Sequence, residues 1–185
     1  MKAFYSLAAA LALSAITLPA QAFEAEFDAE PPQAIALGEI SIGPALAAKA
    51  DEYGEQDLEQ LVARLRDRLE HELGRIGRFA DPEATAAVLN VVIEDATPNR
   101  PTMRQQAAVT RSLDPRSVFV GGAKVSATLV DAGGASLGRF AYAWQTTPDI
   151  RQSEFATTWT DAHRTLDRFA TRLADAIAAE GASGR

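Results

Sequence analysis

The stretch from Ala123 to Trp144 constrains this chain most, because polarity alternates along it on both sides of Asp131-Ala132-Gly133-Gly134. Ala123, Val125, Ala127 and Leu129 alternate with Lys124, Ser126, Thr128 and Val130, the period of a strand with one buried face. Beyond the turn, Phe140, Tyr142 and Trp144 share one face, while Leu137, Arg139, Ala141 and Ala143 share the other. Asp and Gly tolerate the positive φ that short hairpin loops demand, so two antiparallel strands with an aromatic patch are expected. A helix bringing Trp159 and Phe169 is the expected cover for that patch.

The other elements are placed against this hairpin. Gln33 to Ile42 reads as a strand whose parity switches at Gly38, which implies a bulge or bend there. Ala45 to Tyr53 reads as a loop with helical turns. Leu58, Leu61, Val62, Leu65, Leu69, Leu73 and Ile76 form one helical stripe, and Arg66/Glu70 and Arg68/Glu72 are spaced to decorate its solvated face. Ala86 to Glu94 is apolar on both parities, apart from Asn90, as expected of an interior strand covered on both sides or nearly so. A long helix between two strands predicts a parallel, right-handed crossover. Asp95 to Val120 reads as a long irregular segment with a short helix across Met103 to Ser112. A closing helix is expected from about Thr157 to Glu180, with Thr158 and Asp161 as its capping box and Gly181 as its stop.

The amino end has the form of an export signal: Lys2, the apolar run Ala3 to Leu18, then Pro19-Ala20-Gln21-Ala22. Cleavage is expected after Ala22, since the apolar run falls short of the roughly 20 residues that a membrane span needs. The chain divides into a signal peptide (1–22), a disordered acidic tail (23–32), a single domain (33–180) and a frayed end (181–185). With no cysteine the chain can carry neither a disulfide nor a lipid on a mature amino-terminal cysteine. A formal net charge of −7 disfavours polyanionic partners, nucleic acid and anionic lipid alike.

Motifs for chemistry are sparse. Gly134-Ala135-Ser136-Leu137-Gly138 spells the G-x-S-x-G of a nucleophile elbow, with His163 downstream. It falls on a hairpin turn entering a strand, whereas that chemistry needs a strand before the serine and a helix after it. A hydrolase using Ser136 and His163 is therefore the third-ranked function. Two histidines, His71 and His163, with no cysteine offer no metal-ligand spacing, so no metal and no cofactor are expected. The feature that departs from composition is charge placement: Arg100, Arg104, Arg111, Arg116 and Lys124 lie close in sequence on an otherwise acidic chain. Such a basic excursion can contact a carboxylate, a phosphate or an acidic patch of a partner.

Leu89 to Asp95, Pro98-Asn99-Arg100-Pro101, Gly121-Gly122-Ala123, Val125 to Asp131 with Gly134, Trp159-Thr160-Asp161-Ala162, Phe169-Ala170 and Leu173 together resemble a family of small bacterial envelope (lipo)proteins. That family is catalogued as domain of unknown function 3313, and the likeness covers roughly Glu55 to Ala179. It implies a Gram-negative envelope protein and transfers no catalytic residue. The missing lipobox cysteine departs from the family's lipoprotein pattern and favours a soluble periplasmic or secreted protein.

The expected fold is α/β in two layers: a mixed sheet of about four strands with two long helices packed on one face. The expected function is a non-enzymatic accessory or binding component of an envelope assembly, with another envelope protein as partner. A periplasmic small-anion or small-ligand binding protein is the alternative.

Overall fold

The central hairpin forms as its alternation dictates. In the computed structural model, which describes residues 22–81, 87–108, 120–145 and 157–183, Gly122–Asp131 and Ser136–Gln145 run antiparallel, with Val125 opposite Tyr142 and Ala127 opposite Phe140. The turn is held by Asp131, whose Oδ1 accepts from the Gly133 and Ala135 N–H groups at 2.8 Å each. Gly134, at φ +83°, supplies the left-handed residue that a side chain would strain.

Five strands make one mixed sheet: β1 (Phe23–Phe27), β2 (Ile35–Ile42), β3 (Ala87–Thr97), β4 (Gly122–Asp131) and β5 (Ser136–Gln145), in spatial order β1-β5-β4-β3-β2. β2 and β3 are parallel, as the intervening long helix requires, and the register slips between Leu37 and Ile40, where Gly38 was expected to bend the strand. All other neighbours are antiparallel. Among the described residues the helices are α1 (Pro44–Ala47), α2 (Ala50–Tyr53), α3 (Glu55–Arg75), α4 (Met103–Ala107) and α5 (Thr160–Ser183).

The core lies between the sheet and the two long helices. Leu58, Leu61, Leu65, Leu69 and Leu73 of α3 and Leu166, Phe169, Leu173 and Ile177 of α5 are buried against Leu89, Val91, Ile93, Val125, Leu129 and Tyr142. Each such side chain contributes about 1.5–3 kcal/mol relative to exposure, before the cost of ordering the chain. Among the described residues no helix is long and apolar enough to cross a membrane.

Several expectations are corrected. The acidic segment 23–32 begins as an edge strand: Phe23–Phe27 pairs with β5, and the Phe23 ring centroid lies 6.5 Å from that of Tyr142 and 6.4 Å from that of Phe169. Its charges do not prevent this, because Glu24 and Glu26 occupy the parity opposite the aromatic side chains, and Arg139 meets Glu26 at 3.2 Å and Asp28 at 3.5 Å. On β3 the face of Val88, Asn90 and Val92 is half-buried to exposed, whereas Ala87, Leu89, Val91 and Ile93 are buried, so the strand is covered on one side. The last helix continues through Gly181 to Ser183, so the frayed end begins too early at 181. Gly181 is buried beside the guanidinium of Arg78, where a Cβ would collide with it.

The N-terminus of α5 also differs from expectation. Thr157 N–H donates to Thr160 Oγ1 at 2.7 Å, and Asp161 is tied to Asn99 instead of to Thr158. Glu72 is not on a solvated face. It is buried at the α3–α5 seam, 2.6 Å from both Arg68 and Arg75, while Arg64 meets Asp167 at 2.7 Å and Arg75 meets Asp175 at 2.6 Å. Burial alone would raise the Glu72 carboxyl. Hydrogen bonds from Arg75 and Thr171, with the charges of Arg68 and Arg75, outweigh it and hold the group below the usual carboxylate range.

Candidate functional site

The basic excursion leaves the sheet where β3 ends and returns where β4 begins, with Thr97 paired to Gly122. That end is built on a buried polar clasp. Asn99 and Asp161 are 4% and 3% exposed. The Asn99 amide nitrogen donates to Asp161 Oδ2, and the Asp161 N–H donates to Asn99 Oδ1 at 2.8 Å. Asn99 N–H also donates to the Thr158 carbonyl at 2.7 Å, so the loop after β3 is tied to the start of α5 by side chain and backbone together. A Cβ on Gly121 would run into the Asn99 amide, so the glycine lets the returning chain pass directly against the clasp.

Three residues on, Thr102 is fully buried and caps α4: its Oγ1 accepts from Gln105 N–H at 3.2 Å, and Gln105 Oε1 accepts from Thr102 N–H at 2.9 Å. The short helix is then pinned to α2. Gln105 Nε2 donates to Glu52 at 2.8 Å and Arg104 Nε donates to the Asp51 carbonyl at 3.3 Å. Beneath it, Tyr53 meets Trp159 edge to face at 5.5 Å, and the Trp159 indole N–H donates to Asp57 at 2.9 Å. Trp159 therefore serves this corner rather than the Phe140–Tyr142–Trp144 patch. Burial, with Glu52 and Asp95 nearby, pushes the Tyr53 hydroxyl up to about 12, so it stays protonated.

Of the five basic residues read from sequence, Arg100 follows the clasp and is half-buried, Arg104 is exposed on α4, and Lys124 is exposed on β4 beside its register partner Asp95. Arg111 and Arg116 lie outside the described residues. Lys124 lines an open cavity of about 240 Å³ with Asp95, Thr97, Gly122, Trp144 and Gln145, and Asp95 is itself held by Lys49 at 2.5 Å. Met103, 78% exposed, and Val120, 39% exposed, add apolar surface at the two ends of the excursion.

Ser136 and His163 are not brought together. Ser136 opens β5 at the turn end of the sheet and donates from Oγ to Asp28 at 2.7 Å. His163 stands in the first turn of α5, two residues from the clasp at the opposite end, where burial and the neighbouring Arg64 lower its pKa against the pull of Asp167. Among the described residues no group of three or more His, Asp or Glu side chains could hold a metal ion.

No family model matches the chain, and no curated protein matches it. The likeness to domain of unknown function 3313 is not confirmed by any family model. Solved structures do match. A PelC dodecamer from Paraburkholderia phytofirmans is 11% identical, with a TM-score of 0.47, over 84% of this chain and 97% of that one. A minor lipoprotein from Acinetobacter baumannii is 12% identical, with a TM-score of 0.39, over 80% and 93%. A DUF330 protein from Xanthomonas campestris is 11% identical, with a TM-score of 0.40, over 83% and 96%.

Proposed function

We propose that this chain is an exported, non-enzymatic accessory component of a bacterial envelope assembly, and that it binds another envelope protein through the α4 end of its sheet. The supporting observation is the contrast at that end. Asn99, Thr102 and Asp161 are almost completely buried in a hydrogen-bonded frame, and that frame holds an exposed Met103–Arg104 pair out to solvent. A held backbone that presents an apolar side chain beside a guanidinium loses less entropy on docking than a free loop, and it suits a partner surface that is apolar with an acidic rim. Export is read from the Lys2 to Ala22 segment.

The test is capture of partners by tagged protein in the envelope fraction, comparing wild type with Met103→Glu/Arg104→Glu. A partner retained by wild type and lost from the double variant supports the reading; identical capture by both refutes it. Turnover of an ester, peptide or glycan panel that disappears in Ser136→Ala or His163→Ala would refute the non-enzymatic part. A second reading, small-anion binding, draws on Lys124 at the mouth of the cavity. Anionic metabolites would then raise the Tm of wild type and not of Lys124→Gln.

A further inference from the structure

The outer face of α5 carries a second basic feature that the excursion does not include. Arg168 lies with its guanidinium carbon 4.7 Å from the ring centroid of Trp144, and Arg172 lies in the same way 4.9 Å from that of Tyr142. The two are four residues apart on one helix, hence neighbours, and both are exposed. Acidic residues of the same helix are engaged elsewhere: Asp167 with Arg64, Asp175 with Arg75 and Asp161 with Arg164 and Asn99. Among the described residues no ion pair joins Arg168 or Arg172 to a carboxylate. Both guanidinium groups thus lie over aromatic rings and, among the described residues, pair with no carboxylate, on a protein of net charge −7.

A guanidinium whose carbon lies over a ring is held there by the cation–π attraction while its N–H donors can still reach an anion. A flexible arginine must be ordered when it binds an anion; the ring contact of each of these two lessens that cost. Two adjacent guanidinium groups match a dianionic group with three acceptor oxygens better than a single carboxylate. We infer that Arg168 and Arg172, seated on Trp144 and Tyr142, form a binding site for a phosphoryl group. Trp144 also lines the cavity beside Lys124, so a molecule carrying that group has room to extend from α5 across the end of β5.

The experiment is a titration of the exported protein with inorganic pyrophosphate, followed by Trp144 fluorescence in a Trp159→Phe background, with chloride added to equal ionic strength as the blank. A parallel arm uses sedimentation with phosphatidylglycerol vesicles, to tell a lipid headgroup from a free phosphoryl compound. The expected result is saturable binding in at least one arm, weakened at least about 30-fold in Arg168→Gln/Arg172→Gln and unaltered in Arg66→Gln. Weakening in Arg168→Lys/Arg172→Lys, which keep the charge and lose the fork, separates bidentate recognition from simple attraction. No saturation in either arm up to millimolar concentration, or equal binding by the Gln double variant with its Tm preserved, would overturn the site. Either result leaves the Met103–Arg104 contact untouched.

Discussion

Asn99→Ala should be among the most damaging single substitutions outside the apolar core. It removes a donor from the Asp161 carboxylate and the acceptor of the Asp161 N–H, both buried. A buried polar group stripped of its partner costs about 1–3 kcal/mol, more for a charge, because desolvation is no longer compensated. Arg164 still reaches Asp161 Oδ1 at 3.2 Å and softens the loss on the carboxylate. The two deficits together are then about 3 kcal/mol, a large share of the roughly 5–15 kcal/mol that separates folded from unfolded domains. With a urea m-value of about 2 kcal/mol/M, the midpoint should fall by about 1.5 M with m unchanged. Asn90→Ala is the internal control: Asn90 also accepts a backbone N–H, from Glu39 at 3.2 Å, but on the exposed face. Its loss should cost less than about 1 kcal/mol, since water replaces the bond. Equal midpoints for the two variants would refute the reasoning that the clasp anchors the loop.

Other substitutions test separate parts of the structure. Arg78→Ala frees the carbonyls of Pro31 and Pro32, which its Nη1 now bonds in a largely buried setting, and should cost about 1–3 kcal/mol by chemical denaturation. Phe23→Ala should lower stability by about 2 kcal/mol, less than a fully buried phenylalanine, and should raise amide exchange in β5. If segment 23–32 were a solvated tail, the same variant would be silent. Glu72 has a depressed pKa, so its stabilisation is complete above the unfolded carboxylate value and is lost as pH falls through the lower folded value. The Tm gap between wild type and Glu72→Gln should therefore be full at neutral pH and close in acid below pH ~4. A gap independent of pH would contradict that linkage. Ser136→Ala should leave stability nearly unchanged, since its hydroxyl bond to Asp28 is exposed.

Much of the architecture was legible because local periodicity and core burial agree. The α3 stripe from Leu58 to Leu73, the hairpin across Asp131–Gly134 and the parallel β2–β3 pair all follow from spacing and connection length. β1 was missed although Phe23-Glu24-Ala25-Glu26-Phe27 alternates. The acidic composition outweighed the alternation, and only the fold reveals that Arg139 across the pair meets the glutamate parity. The double apolar parity of β3 suggested two covered faces, but Val88 and Val92 pair with half-exposed Val130 and Ser126, and small or β-branched side chains tolerate such a surface. At the candidate site, charge placement drew attention to the excursion but not to the frame that carries it. The Asn99–Asp161 clasp joins residues 62 apart, and no local pattern encodes that contact. The only signal was an asparagine between two prolines of the loop with no evident local duty; the aspartate at the start of the helix had a local reading as a cap, which concealed its role. Arg168 and Arg172 were passed over because their distinction is the ring beneath each, which arises only when α5 lies across β5.

The central claim, that the framed α4 corner is the surface this protein presents to its partner, is tested most directly by site-specific photo-crosslinking in living cells. A photoreactive residue at position 103 should give a discrete adduct with one envelope protein, abolished by Arg104→Glu, while the same residue at position 132, in the exposed turn at the far end of the sheet, gives none. Adducts of equal yield from both positions, or none from 103 while the protein is folded and exported, would contradict it.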